Sequence, residues 1–131
     1  NLANKFSSLV KRKVIDSDYI PGAINFLEKN ISKKQFICTG TPQNEIEEII
    51  REKKIESFFH GIYGSPLSKK KIINLILKKN NSNSENCIFF GDAMTDYLAA
   101  NECNVPFVGL DSNKNVNFPY GTKKIKNFLK F

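Results

Sequence analysis

The 131 residues carry 20 Lys and Arg against 13 Asp and Glu, a formal charge of +7, with 40% apolar and 11% aromatic side chains. That length fits one domain with its own core, and no apolar run approaches the roughly 20 residues that a membrane span needs. The basic excess is mostly lysine in short clusters such as Lys69-Lys70-Lys71 and Lys123-Lys124; without interleaved arginine and exposed aromatics it reads as solvated surface, and no nucleic-acid partner is expected.

In chain order, residues 1–15 read as a helix, with Leu2, Phe6, Leu9 and Val10 at helical spacing. The opening is polar and amphipathic, unlike the apolar stretch of a secretory leader, and it starts with Asn rather than Met. Asp16-Ser17-Asp18 comes next, with Lys11-Arg12-Lys13 before it in place of an apolar strand. Two aspartates separated by one residue suit aspartyl-phosphate chemistry, but a nucleophile needs the stiff end of a central strand. Asp16 and Asp18 are therefore read as linker residues, with Ser17 or Asp18 helping to cap the helix that Pro21 opens. The division expected is 1–19 for the helix and linker and 20–131 for the main domain.

From residue 35 a rhythm of short apolar runs and amphipathic helices repeats. Phe36-Ile37-Cys38-Thr39-Gly40 is a buried strand, and Thr41-Pro42 starts a helix carrying Ile46, Ile49 and Ile50. Gly61-Ile62-Tyr63-Gly64 is a second strand, succeeded by a helix from Ser68 to about Lys79. Cys87-Ile88-Phe89-Phe90 is apolar on both faces, as a parallel strand between helix layers is. A helix to about Asn101, the strand Pro106–Leu110, and a weak helix or edge strand from Ile125 complete the chain. The pattern is βαβαβαβ, an α/β fold with a doubly wound parallel sheet. Cys38, Cys87 and Cys103 match no metal spacing and read as reduced, buried small hydrophobes of a cytoplasmic protein.

In an open α/β sheet, ligands bind beyond the carboxyl ends of the strands. Thr39-Gly40-Thr41 offers a hydroxyl and free N–H groups at a helix start, a phosphate cradle or simply a cap. Ser65-Pro66-Leu67-Ser68-Lys69-Lys70-Lys71 puts lysines in a helix's first turn, against the macrodipole, where a phosphate or carboxylates nearby would offset them. Gly91-Asp92-Ala93-Met94-Thr95-Asp96 sets two carboxylates four apart, which repel unless a cation lies beside them. Magnesium suits such oxygens together with water and substrate phosphate, and Gly91 leaves room for a ligand to approach.

A threonine at one strand end, a lysine at the next helix start, then GDxxxD, in that order, resembles the haloacid dehalogenase (HAD) superfamily, in particular its phosphoglycolate-phosphatase-like members. The resemblance runs from about Pro21 to Leu110 through IPGAINFLEK, FICTGTPQNEI, GSPLSKKKI and CIFFGDAMTDYLAANECNVPFVGL. It implies a three-layer Rossmann-like core with residues 1–19 as the last helix and linker of a cap. It implies a phosphatase that hydrolyses a small phosphomonoester, with Thr39 and Gly40 binding the phosphoryl group and Lys69 stabilising its charge. Asp92 becomes a Mg²⁺ ligand, and Asp96 supports the ion or Lys69.

Nothing in the chain matches the family's first motif, the apolar strand ending in DxD that carries the nucleophile. The expectation is a sheet incomplete without its first, central strand, and a fragment that is inactive alone. Self-association, or pairing with the missing segment, would fill the gap; no membrane partner is expected. Other readings are a HAD-like binding or assembly module without catalysis, a phosphoryl-accepting receiver, in which the acidic pair would come first, and a dehalogenase or phosphonate hydrolase. His60 reads as a partly buried loop residue and Met94 as core.

Overall fold

The computed structural model describes residues 8–10, 21–111 and 116–129. Helix α1 (Ala23–Lys29) starts after Gly22, whose φ of 83° begins the turn. Then come β2 (Phe36–Pro42), α2 (Gln43–Glu52), β3 (Gly61–Ser65), α3 (Lys69–Lys79), β4 (Ile88–Gly91), α4 (Met94–Glu102), β5 (Phe107–Leu110) and β6 (Lys124–Ile125), with β1 (Ser8–Val10) preceding all of them. The sheet order is β3-β2-β1-β4-β5-β6, and every pairing is parallel.

The sheet is buried on both faces because its strands alternate between two cores. Ile37, Phe90, Val108 and Leu110 face Ala23, Phe26 and Leu27 of α1 and Ile46 and Ile50 of α2. Phe36, Cys38 and Phe89 face Ile72, Ile73 and Ile76 of α3 and Ala99 and Ala100 of α4. Phe36 and Ile37, or Phe89 and Phe90, thus serve opposite layers, which is why both runs are apolar throughout. The result is the expected α/β sandwich of three layers.

The structure corrects two expectations about the start of the chain. Instead of a helix over residues 1–15, Ser8–Val10 is a strand, and the sheet is not open at its centre. Leu9 pairs with Phe36 on one side and Phe89 on the other, with Val10 opposite Ile37 and Ser8 opposite Ile88. The physical reason is the row of backbone N–H and C=O groups that β2 and β4 turn toward each other. Burying such groups unpaired costs more than a short isolated helix returns. The rest of residues 1–19, with Asp16, Ser17 and Asp18, lies outside the described residues.

Smaller departures have the same cause, tertiary partners overriding local pattern. Thr41-Pro42 extends β2 instead of opening α2, whose N-cap is Pro42. The stretch from Ile125 begins as edge strand β6, and Phe128, 4% exposed, joins the core against Phe26 and Phe90 at 4.8 and 5.4 Å. Met94, read as core, is exposed, as is His60, which sits near the Phe36 ring with its backbone N–H on the Gln35 carbonyl. The three cysteines are buried and free, as expected. Among the described residues no helix is long and apolar enough to cross a membrane.

Cys38 lies on β2 beneath the carboxyl edge. Burial first, and the Asp96 carboxylate second, push its thiol from the ordinary 9.0 up to about 12, with the Lys69 ammonium opposing. A folded chain that keeps a proton the unfolded chain loses is less stable as pH rises through that window. This contribution to stability is fully present below pH 9.0 and is lost between there and about 12. Urea unfolding across that range is expected to show a steeper loss of stability for the wild type than for Cys38→Ala. Equal slopes would contradict this reading of Cys38.

Candidate active site at the carboxyl edge of the sheet

Because the strands are parallel, the ends of β2, β3 and β4 reach one edge, and each carries one of the singled-out stretches. At the end of β2 the register with β3 shifts between Cys38 and Pro42. The irregularity turns Thr39 inward, 1% exposed, with its hydroxyl bonded within the same turn. Thr39 Oγ1 accepts the Thr41 N–H at 3.2 Å and donates to Thr41 Oγ1 at 3.2 Å. Gly40 is exposed, with nothing within 4 Å of where a Cβ would sit.

Beyond β3, Ser68 caps α3 by accepting the Lys71 N–H at 3.2 Å, so Lys69 is the helix's first residue. Of the three consecutive lysines, Lys69 turns inward to the carboxyl edge. Its Nζ lies 2.7 Å from Asp96 Oδ1, with side-chain exposures of 15% and 0% for the pair. The same ammonium donates to Thr95 Oγ1 at 2.8 Å. Lys70 instead reaches Glu102 at 3.3 Å on the surface.

Beyond β4, Asp92 is buried at the strand end and Asp96 occupies the first turn of α4. Asp96 Oδ2 accepts the Ala93 N–H at 3.1 Å, so its two oxygens serve the helix start and the lysine. Charge at α4's N-terminus is favourable for the carboxylate, whereas Lys69 at α3's N-terminus would be opposed by the dipole without that partner. The mutual repulsion expected of Asp92 and Asp96 is thus relieved on the Asp96 side by an ammonium from the neighbouring helix. Among the described residues no group of three His, Cys, Asp or Glu side chains gathers as a metal site.

Gly91 has a role different from the expected one. A Cβ there would lie 2.5 Å from Asp96 Cβ and 2.7 Å from its Oδ2. The space that glycine leaves is filled by the Asp96 side chain, not kept for a ligand. The sequence reading also missed Thr95 on Lys69 and Thr41 on Thr39. For Thr95 a signal existed: a hydroxyl directly before Asp96 in the same helical turn is within reach of any cation that Asp96 holds.

Lys69 and Asp96 are joined directly, Cys38 Sγ lies 3.9 Å from the Lys69 carbonyl, and Thr39 and Asp92 stand on the same edge. A buried hydroxyl, a partly buried ammonium and two buried carboxylates thus share one polar rim. Residues 2–110 match the family described as haloacid dehalogenase-like hydrolase. The chain belongs to that family.

The match extends the resemblance upstream of Pro21. A 5'-nucleotidase from Pseudomonas aeruginosa is 30% identical over 80 residues, which cover 57% of this chain and 36% of that protein. A haloacid dehalogenase-like hydrolase from Streptococcus pneumoniae superposes with a TM-score of 0.71 at 25% identity, covering 80% of this chain and 53% of the other. A HAD hydrolase from Bacillus subtilis, bound to magnesium, has a TM-score of 0.73 at 18% identity, covering 83% and 52%, and shares the fold alone. The chain spans about a third of the curated relative and about half of these two structures.

The Gly91 geometry makes a test of the site's packing. Gly91→Ala is expected to destabilise the fold by about 1–3 kcal/mol, because Asp96 has nowhere to move without leaving Lys69. Gly40→Ala, in open space, is expected to stay within about 0.5 kcal/mol of wild type. Urea denaturation compares them, and equal stabilities would contradict the packing described.

Proposed function

We propose that these residues form the core of a magnesium-dependent phosphatase that hydrolyses a small phosphorylated metabolite. The observation that carries this reading is the Lys69–Asp96 pair at 2.7 Å on the edge shared with Thr39 and Asp92. It keeps one ammonium between a buried carboxylate and the Thr95 hydroxyl. Family membership and the partial likeness to a 5'-nucleotidase support phosphate-ester chemistry.

The donor set fits magnesium, which is held by one or two carboxylates while keeping waters and substrate oxygens. Asp92 is the residue of this chain that would hold it. Asp96, whose oxygens serve Lys69 and the Ala93 N–H, acts first as the anchor of the lysine and stands behind the ion. A bound magnesium would supply Lewis-acid stabilisation of charge on the phosphoryl oxygens. The Thr39 hydroxyl turns from Thr41 to donate to one phosphoryl oxygen, and the Gly40 N–H approaches unobstructed. Lys69 donates to another, stabilising the charge that accumulates in transfer.

The nucleophile comes from outside these 131 residues. In the reaction proposed, an aspartate oxygen attacks phosphorus as the ester oxygen leaves and takes up a proton. Water then attacks the aspartyl-phosphate, releasing inorganic phosphate and restoring the carboxylate. A second reading, a HAD-like binding module without turnover, is favoured by one observation: Lys11-Arg12-Lys13, not a carboxylate, comes directly after β1 in the sequence.

The 131-residue chain alone is expected to hydrolyse no p-nitrophenyl phosphate. In a longer protein that adds an aspartate nucleophile, Lys69→Ala or Asp92→Asn should lower kcat by about 10²–10³-fold or more, Asp92→Asn with circular dichroism unchanged. Unimpaired turnover in either variant would refute the roles assigned. A longer protein without any DxD, and without activity, would select the binding module.

A further inference from the structure

We propose that Thr95 is a positioning residue: its hydroxyl bond and the Asp96 ion pair clamp the Lys69 ammonium so that a remaining N–H is presented to an anionic oxygen. This deepens, and rests on, the phosphoryl-site reading above. A lysine ammonium is a compact charge on a flexible four-carbon stem. One partner fixes how far away that charge lies but leaves it free to swing about the contact. Lys69 has two partners on adjacent residues, Asp96 Oδ1 at 2.7 Å and Thr95 Oγ1 at 2.8 Å. One contact is an ion pair and the other a hydrogen bond, and together they restrict where the ammonium can swing.

Thr95 suits the task for two reasons. It lies in the first turn of α4, next to Asp96, and a β-branched side chain on a helix has few rotamers. Its hydroxyl oxygen accepts from Lys69, which leaves its own O–H to donate to the same anion. Asp96 is fully buried and also bonds the Ala93 N–H, so it cannot move outward with the lysine. Thr95 is exposed and holds the solvent side of the clamp.

The test uses two readouts on the 131-residue chain: the side-chain ¹⁵N–¹H signal of the Lys69 ammonium, identified by its loss in Lys69→Arg, and the affinity for orthovanadate. In Thr95→Val the clamp predicts a Lys69 signal broadened by exchange with water, and vanadate affinity lower by about tenfold. Thr95→Ser, which keeps the hydroxyl, should restore both. A Lys69 signal and vanadate affinity unchanged in a folded Thr95→Val overturn the clamp. Vanadate that fails to bind even the wild-type chain overturns the phosphoryl-site reading, and with it the purpose given to Thr95.

Discussion

A carboxylate with no solvent exposure must be met by a cation or give up its charge, and Asp96 is met by Lys69. Breaking such a pair leaves an uncompensated buried charge, which is far worse than never burying it. The pair joins the first turns of α3 and α4, both of which begin at the carboxyl edge. Each partner also answers a problem that the other's helix creates. Lys69 stands at the positive end of α3 and Asp96 cancels that mismatch, while the α4 amides favour Asp96. Gly91 belongs to the same device, since any Cβ there would displace the carboxylate.

The parallel topology turns this local pair into a site. Residues far apart in sequence arrive together because strands β2, β3 and β4 end at one edge while their return helices lie on the two faces. With β1 between β2 and β4, Thr39 and Asp92 are separated by two strand spacings, roughly 10 Å. A phosphoryl group between them would meet the end of β1, after which the sequence carries Lys11-Arg12-Lys13. The opposite pole of the sheet has a different character. There Lys33 and Lys34 reach asparagine side chains, at 2.9 and 3.3 Å, and the basic excess goes to solvated surface.

The alternation of Phe36, Ile37 and Cys38, and the all-apolar run ending at Phe90, made a doubly buried parallel sheet legible before any coordinates. The order of Thr39, Lys69 and Asp92 made the edge legible too, because each stretch ends a strand or starts a helix. What the sequence hid was decided by tertiary partners. Ser8–Val10 carries helical spacing but is drawn into the sheet by backbone groups that only β2 and β4 together expose. Met94 looks like core by composition yet faces out, since Asp96, Ala99 and Ala100 take the inward positions of α4. Gly91 looked like ligand space because nothing in a one-dimensional pattern tells which side chain will fill it. The Thr41 hydroxyl could be found only after Thr39 had been placed, whereas Thr95 was legible from its place directly before Asp96.

The central claim is that one phosphate-binding rim exists at the carboxyl edge and not among the surface lysines. An amide ¹H–¹⁵N titration of the chain with orthophosphate in the presence of Mg²⁺ tests it most directly. The account predicts shifts concentrated at Thr39–Thr41, Ser68–Lys69 and Asp92–Asp96. Shifts gathered at Lys33–Lys34 and Lys78–Lys79 instead, with the rim unmoved, would contradict it.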